Sequence, residues 1–350
     1  MKSCATFVTR LLAVSAVSAA ALAPIAASAE GEVNIYSYRE PGLIRPLLDA
    51  FTLETGIKTN VLFAKKGLGQ KIKAEGVNSP ADVLLTVDIG RLDAAKALGI
   101  TQAVNSGVIA ANIPSQYRDP QGHWFGVTTR ARIIYASRER VAQNDITYEE
   151  LADPKWRGRI CTRSGQHVYS IGLIASIVAH KGREGAKAWL EKVRDNLARK
   201  PAGNDRAQVK SIYAGECDLA IGNTYYMGKM ETNTKEPIQQ EWAKSVKVLF
   251  PNAADRGTHV NLAGMVMAKH APNRENAQKL MEFLSGEPAQ RIYGASNFEY
   301  PVKPGVEPDA RTASWGTLKA DTLPLADIAN NRKTASELVD EVSFDNGPSS

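Results

Sequence analysis

Residues 33–51 read VNIYSYREPGLIRPLLDAF, and the apolar period changes in the middle of that stretch. Residues 33–38 alternate over a short run, which predicts a strand. Leu43, Ile44, Leu47, Leu48 and Phe51 then recur at helical spacing. Pro41 suits the first helical turn, where its missing N–H costs nothing. A strand is predicted next at 57–63, another at 81–87 behind Ser79-Pro80, and a helix at 89–98. This β-α-β-α order predicts a mainly parallel sheet covered by helices.

A second set begins near Thr128. Strands are predicted at 132–135, 159–162 and 217–221, with extended segments at 249–250 and 259–267. A short helix is predicted at 148–151 and a turn at 153–158. Further helices are predicted at 172–180, 184–197, 208–214, 275–283 and 289–295. The tail after Asp345 is rich in Gly, Pro and Ser and reads as frayed. Two α/β lobes in one chain imply a ligand cleft beyond the carboxyl ends of the strands, closable by a hinge.

Composition narrows the class. The chain has 350 residues, 43% hydrophobic and 23% charged, with a formal net charge of +6. These values exclude a disordered chain, a collagen, a coiled coil and a disulfide-dense mini-protein. No long Lys/Arg block occurs, so no nucleic-acid partner is expected. Lys2 and Arg10 precede the apolar residues 11–22, and Ala27-Ser28-Ala29 offers small residues for cleavage. Residues 1–29 thus read as a secretory signal peptide, too short and interrupted for a membrane span. Cys4 lies too early to be a lipidated cysteine. Export puts Cys161 and Cys217 in an oxidising compartment, which favours a disulfide over two buried thiols.

Three tyrosines follow predicted strands. Tyr225 and Tyr226 come after 217–221 across Gly222-Asn223-Thr224, and Tyr169 comes after 159–162. A phenolate is a hard oxygen donor suited to a high-charge iron ion. A free phenol titrates near ~10, so a trivalent ion must displace its proton to bind at neutral pH. On the residues alone, packing is the commoner use of such tyrosines.

The segments Tyr36-Ser37-Tyr38-Arg39, 86–92 (TVDIGRL), Arg130-Ala131-Arg132, 156–161 (WRGRIC), Gly222-Asn223-Thr224-Tyr225-Tyr226 and 298–302 (FEYPV) occur in this order. Together the set resembles the periplasmic ferric-iron-binding proteins of ABC importers, in the type II solute-binding protein superfamily. The resemblance implies a two-lobe α/β periplasmic binding protein fold with its cleft between lobes joined by extended hinge segments. It implies an amino-terminal lobe of residues 30–129 and 265–350, and a carboxy-terminal lobe of residues 130–264. It also implies Fe(III) ligation by Tyr169, Tyr225 and Tyr226, with Arg130 near a synergistic anion such as carbonate. A monomer in the periplasm that delivers iron to an inner-membrane ABC permease completes the expectation.

One departure stands out. Many members place a His or Tyr in the first loop of the amino-terminal lobe, after an arginine matching Arg39. Here that loop reads Glu40-Pro41-Gly42. Glu40 is a candidate oxygen ligand, but the preferred reading has the second lobe supply all three protein ligands. His167 reads as solvated, Arg163 and Ser164 as solvent-facing or an anion site, and Glu299-Tyr300-Pro301 as an inter-lobe or structural contact. No H-E-x-x-H, C-x-x-C, G-x-S-x-G or P-loop occurs, so an enzyme is not expected. The alternative is an organic solute, such as a polyamine, thiamine or a phosphonate, on the same fold.

Overall fold

A computed structural model describes Met1 and residues 31–349; the expected signal peptide, Met1 apart, lies outside them. Strand β1 (Glu32–Ser37) pairs in parallel with β2 (Lys58–Phe63) on one side and β3 (Val83–Thr86) on the other. Gly56 ends the intervening helix Pro41–Thr55 in the left-handed region at φ +72°, which lets the chain turn back into β2. The short β4 (Thr101–Gln102) lies against β9 (Val260–Ala268).

The long β5 (Phe125–Ser137) is buried along its whole length and serves two sheets. Its first half pairs antiparallel with β9 and with β10 (Tyr300–Pro301). Its second half pairs antiparallel with β7 (Leu219–Asn223) and β8 (Val246–Leu249). At the far side β7 pairs in parallel with β6 (Ile160–Cys161). The order is therefore β2-β1-β3-β9-β5-β7-β6. The expectation of a mainly parallel sheet holds at the two flanks and fails in the middle, where β5 and β9 run antiparallel to their neighbours. These are the strands that pass between the lobes.

Helices appear where apolar spacing places them, with one fusion. The helices expected at 172–180 and 184–197 form a single run, Val168–Asp195, broken at Gly182. Gly182 has φ +69°, which a side-chain-bearing residue adopts only with strain. Cys161 and Cys217 are joined in a disulfide that links the end of β6 to the approach to β7.

The carboxyl-terminal residues depart most from expectation. Helix Arg332–Glu341 packs along Val168–Asp195, within the residues expected to form the carboxy-terminal lobe, whereas Leu325–Asn330 packs against both that helix and Ile89–Ala97 of the expected amino-terminal lobe. Nor is the tail frayed at Asp345. Phe344 is buried, and the Asp345 carboxylate accepts from the Ser164 hydroxyl at 2.5 Å and the Gly165 N–H at 2.6 Å. Ser349 still bonds to Asp195. The apolar anchors Leu338, Val339 and Phe344 outweigh the polar composition around them.

Leu338 is fully buried at this junction, whereas Leu53 is 89% exposed. Leu338→Ala is expected to cost about 2–5 kcal/mol in urea unfolding, and Leu53→Ala less than about 0.5 kcal/mol.

Candidate metal centre

Two loops leave the carboxyl ends of the parallel pair β6–β7. The first crosses residues 162–167 and enters Val168–Asp195, so Tyr169 sits in the first helical turn. His167 caps that helix: its ring Nδ1 accepts from the Tyr169 N–H at 3.2 Å, and the two rings meet edge-on at 4.6 Å. Burial, then the charges of Arg163 and Arg132, push the imidazole down to about 4, which keeps it a neutral acceptor. His167 is thus half-buried and structural, not solvated as expected.

The second loop is tied to β5. The Thr224 N–H donates to the Ala131 carbonyl at 3.1 Å, and its hydroxyl accepts from the Ala131 N–H at 3.3 Å. The Tyr135 hydroxyl donates to the Asn223 carbonyl at 2.6 Å. Gly222 is required here because a Cβ would lie 2.3 Å from the Tyr135 ring. The helix Tyr225–Glu231 then starts with both tyrosines at its entrance.

The geometry brings the three tyrosines to one cleft of about 240 Å³. The Tyr225 hydroxyl lies 3.2 Å from the Tyr169 hydroxyl, and the Tyr225 and Tyr226 rings lie 4.3 Å apart. Burial, then the neighbouring tyrosines and Asp205, raise the Tyr225 phenol well above its ordinary value. Burial and Asp205 raise Tyr226 likewise. Both hydroxyls therefore hold their protons at neutral pH until something displaces them. Among the described residues no group of three His, Cys, Asp or Glu side chains offers an alternative cation site.

Arg130 is 2% exposed, and both terminal nitrogens of its guanidinium lack a hydrogen-bond partner among the described residues. An unmatched buried guanidinium is costly, and its planar fork matches a small oxyanion. It lies 5.8 Å from the Tyr169 ring. Arg206 and Lys229 also line the cleft, lying 5.9 Å and 6.0 Å from the Tyr226 and Tyr225 rings. Burial, with Arg39 and Arg206 nearby, lowers the Lys229 pKa. The lining therefore carries Arg39, Arg130, Arg206 and Lys229 against only Glu40 and Glu299.

Glu299 is already committed. It accepts from Arg39 at 2.9 and 3.1 Å and from the Thr128 hydroxyl. Burial alone would raise its pKa, but Arg39 and Arg130 overcome that and hold it below the usual carboxylate range. Glu299 precedes β10, so this ion pair fastens the loop of Arg39 to β5 and β10. Glu40 is exposed at the cleft and makes no capping bond with the helix it precedes. Its carboxylate is not committed to that helix.

Arg163 and Ser164 are not solvent-facing as expected: Arg163 pairs with Asp205 at 2.9 Å, and Ser164 with Asp345. Sequence reasoning also passed over Arg206, Lys229 and Asp205. Only Lys229 carried a signal, lying one helical turn beyond Tyr225. Glu299→Gln strands the Arg39 charge in the interior. It is expected to destabilise the protein by about 3–5 kcal/mol in denaturant unfolding, whereas Arg39→Met with Glu299→Gln recovers much of that loss.

Residues 78–319 match the family model of bacterial extracellular solute-binding proteins. Iron uptake protein A1 of Synechocystis is 45% identical over 315 residues, covering 89% of this chain and 87% of that protein. The open ferric iron-binding protein A of Mannheimia haemolytica superposes with a TM-score of 0.86 at 51% identity, covering 90% of this chain and 99% of the other. A Trichodesmium protein solved with iron and citrate gives a TM-score of 0.86 at 40% identity, covering 90% and 100%. With its two lobes and its cleft lined from both, this chain belongs to the bacterial extracellular solute-binding proteins.

Proposed function

We propose that the protein captures Fe(III) in this cleft and passes it to an inner-membrane ABC permease, acting in the periplasm as a monomer and without catalysis. Tyr169, Tyr225 and Tyr226 are the protein ligands, and carbonate or another small oxyanion bound at Arg130 completes the shell. The observation that carries this reading is the approach of the Tyr169 and Tyr225 hydroxyls to 3.2 Å, with the Tyr226 ring 4.3 Å from that of Tyr225. Hard phenolate oxygens suit a trivalent ion, and three of them balance its charge. A relative named for iron uptake and a structure named for ferric iron binding support the same cargo.

The charge of the lining argues against the polyamine and thiamine readings. Outside the Arg39–Glu299 pair, a cationic solute would meet three basic side chains, Arg130, Arg206 and Lys229, and one carboxylate, Glu40. An ion that arrives with an anion meets no such penalty. A phosphonate is compatible with the charge and would accept hydrogen bonds from the protonated phenols, so titration with ferric salt is what separates it from iron.

Titration with ferric salt plus carbonate is expected to develop a purple-red phenolate-to-iron band, and Tyr225→Phe with Tyr226→Phe to abolish it. A wild-type protein without the band, yet stabilised on heating by a phosphonate, overturns the proposal. Glu40→Ala is expected to change iron affinity by less than about threefold, whereas a loss beyond about tenfold assigns the first lobe a ligand.

The pH dependence follows from the raised phenols. Tyr225 and Tyr226 are protonated in the ion-free protein, so each must release a proton when iron binds. Lower pH therefore favours the free protein. Affinity measured against a fixed chelator is expected to fall as pH drops from 8 to 6, with a slope approaching about three protons per ion. A flat profile contradicts phenolate ligation.

A further inference from the structure

Asp205 is fully buried at the start of the helix Asp205–Tyr213. Its Oδ1 accepts from Arg163 Nη1 at 2.9 Å. Its Oδ2 accepts from Arg132 Nη1 at 2.7 Å and from the Asn223 N–H at 2.9 Å. These three donors come from three different segments. Arg163 lies in the loop that leads to Tyr169, Asn223 is the last residue before the Thr224-Tyr225-Tyr226 loop, and Arg132 stands on the central strand β5.

The parallel ladder of β6 and β7 has only two residue pairs, Ile160 with Leu219 and Cys161 with Ala220. Past Cys161 it no longer holds the two loops in register, although the tyrosines lie further on. Asp205 spans that gap from a third element. Arg163 is the arm that reaches the first loop, and its guanidinium stands 5.4 Å from the Tyr169 ring. Arg132 also donates to the Asn223 side chain at 3.2 Å, which closes the junction on the β7 side.

We propose that Asp205 is the positioning residue of the tyrosine cage, fixing the Tyr169 loop to the Tyr225–Tyr226 loop through Arg163 and Asn223. It touches no cargo and acts through the residues that do. The proposal rests on the iron reading for its purpose, but the junction itself is testable without iron. A carboxylate is needed because two guanidiniums and one amide N–H converge on it, and an amide side chain would turn a donor toward one of them.

Arg163→Met is the cleaner variant. It removes one arm and leaves the Arg132–Asp205–Asn223 contacts in place. In ion-free protein, hydrogen exchange is expected to quicken in residues 164–169 and to stay unchanged at 222–226; Asp205→Asn is expected to quicken both. Iron affinity against citrate is expected to fall about tenfold in Arg163→Met, with a displaced absorption band, and Arg163→Lys to restore part of it. In a Tyr169→Phe background Arg163→Met should cost nothing more, because the two changes act on one contact.

Unchanged exchange in both loops overturns the proposal, as does an Arg163→Met penalty that persists undiminished without the Tyr169 hydroxyl. Absence of iron binding in the wild-type protein, with the loops of Arg163→Met and Asp205→Asn loosening as described, refutes the iron reading and retains the junction.

Discussion

Parallel pairing of the two-residue strand β6 with β7 is the constraint on which the cleft depends. Because β6 and β7 run in the same direction, both loops leave the sheet on one side and start within a strand spacing of each other. An antiparallel pair would send them to opposite ends. Two residue pairs are too few to hold this arrangement alone. The disulfide at Cys161 and Cys217, the Thr224–Ala131 bonds and the terminal helices each brace it from a different side.

Charge then selects among the solutes such a cleft could take. The basic lining would repel a free cation, a penalty that the proposed pairing of cation with anion avoids. Arg130 is central to that balance because no side chain among the described residues satisfies its terminal nitrogens. Arg39 differs: Glu299 neutralises it, so its role is to join the first lobe to the crossing strands. Strand β5 carries both themes, with Arg130 in the half that pairs with β9 and Arg132 in the half that pairs with β7.

Much of this was legible in the residues. Period changes located the strand–helix units, and the tyrosines were found because they follow predicted strands. The remainder was hidden for physical reasons. Alternation predicts a strand but not its direction, so the antiparallel middle of the sheet was missed. Arg39 and Glu299 lie 260 positions apart, and nothing local links them. Asp205 looks like an ordinary acidic residue in a first helical turn; only the fold shows three partners converging on it. His167 was read as solvated because capping depends on the backbone behind it. The tail after Asp345 was misjudged because its Gly, Pro and Ser content gives no sign of the bond from Ser349 to Asp195.

Docking of those late residues also bears on the order in which the protein can be built. Gln166 bonds to Ser336 and Asp340, and Gly165 to Asp345, so the support of the first tyrosine loop comes from 170 to 180 positions downstream. Contacts of such sequence separation close slowly, since a long stretch of chain must be ordered first. A growing polypeptide that already contains all three tyrosines still lacks the floor beneath one of them. The contacts beneath the Tyr169 loop are therefore complete only once residues 332–345 have been made.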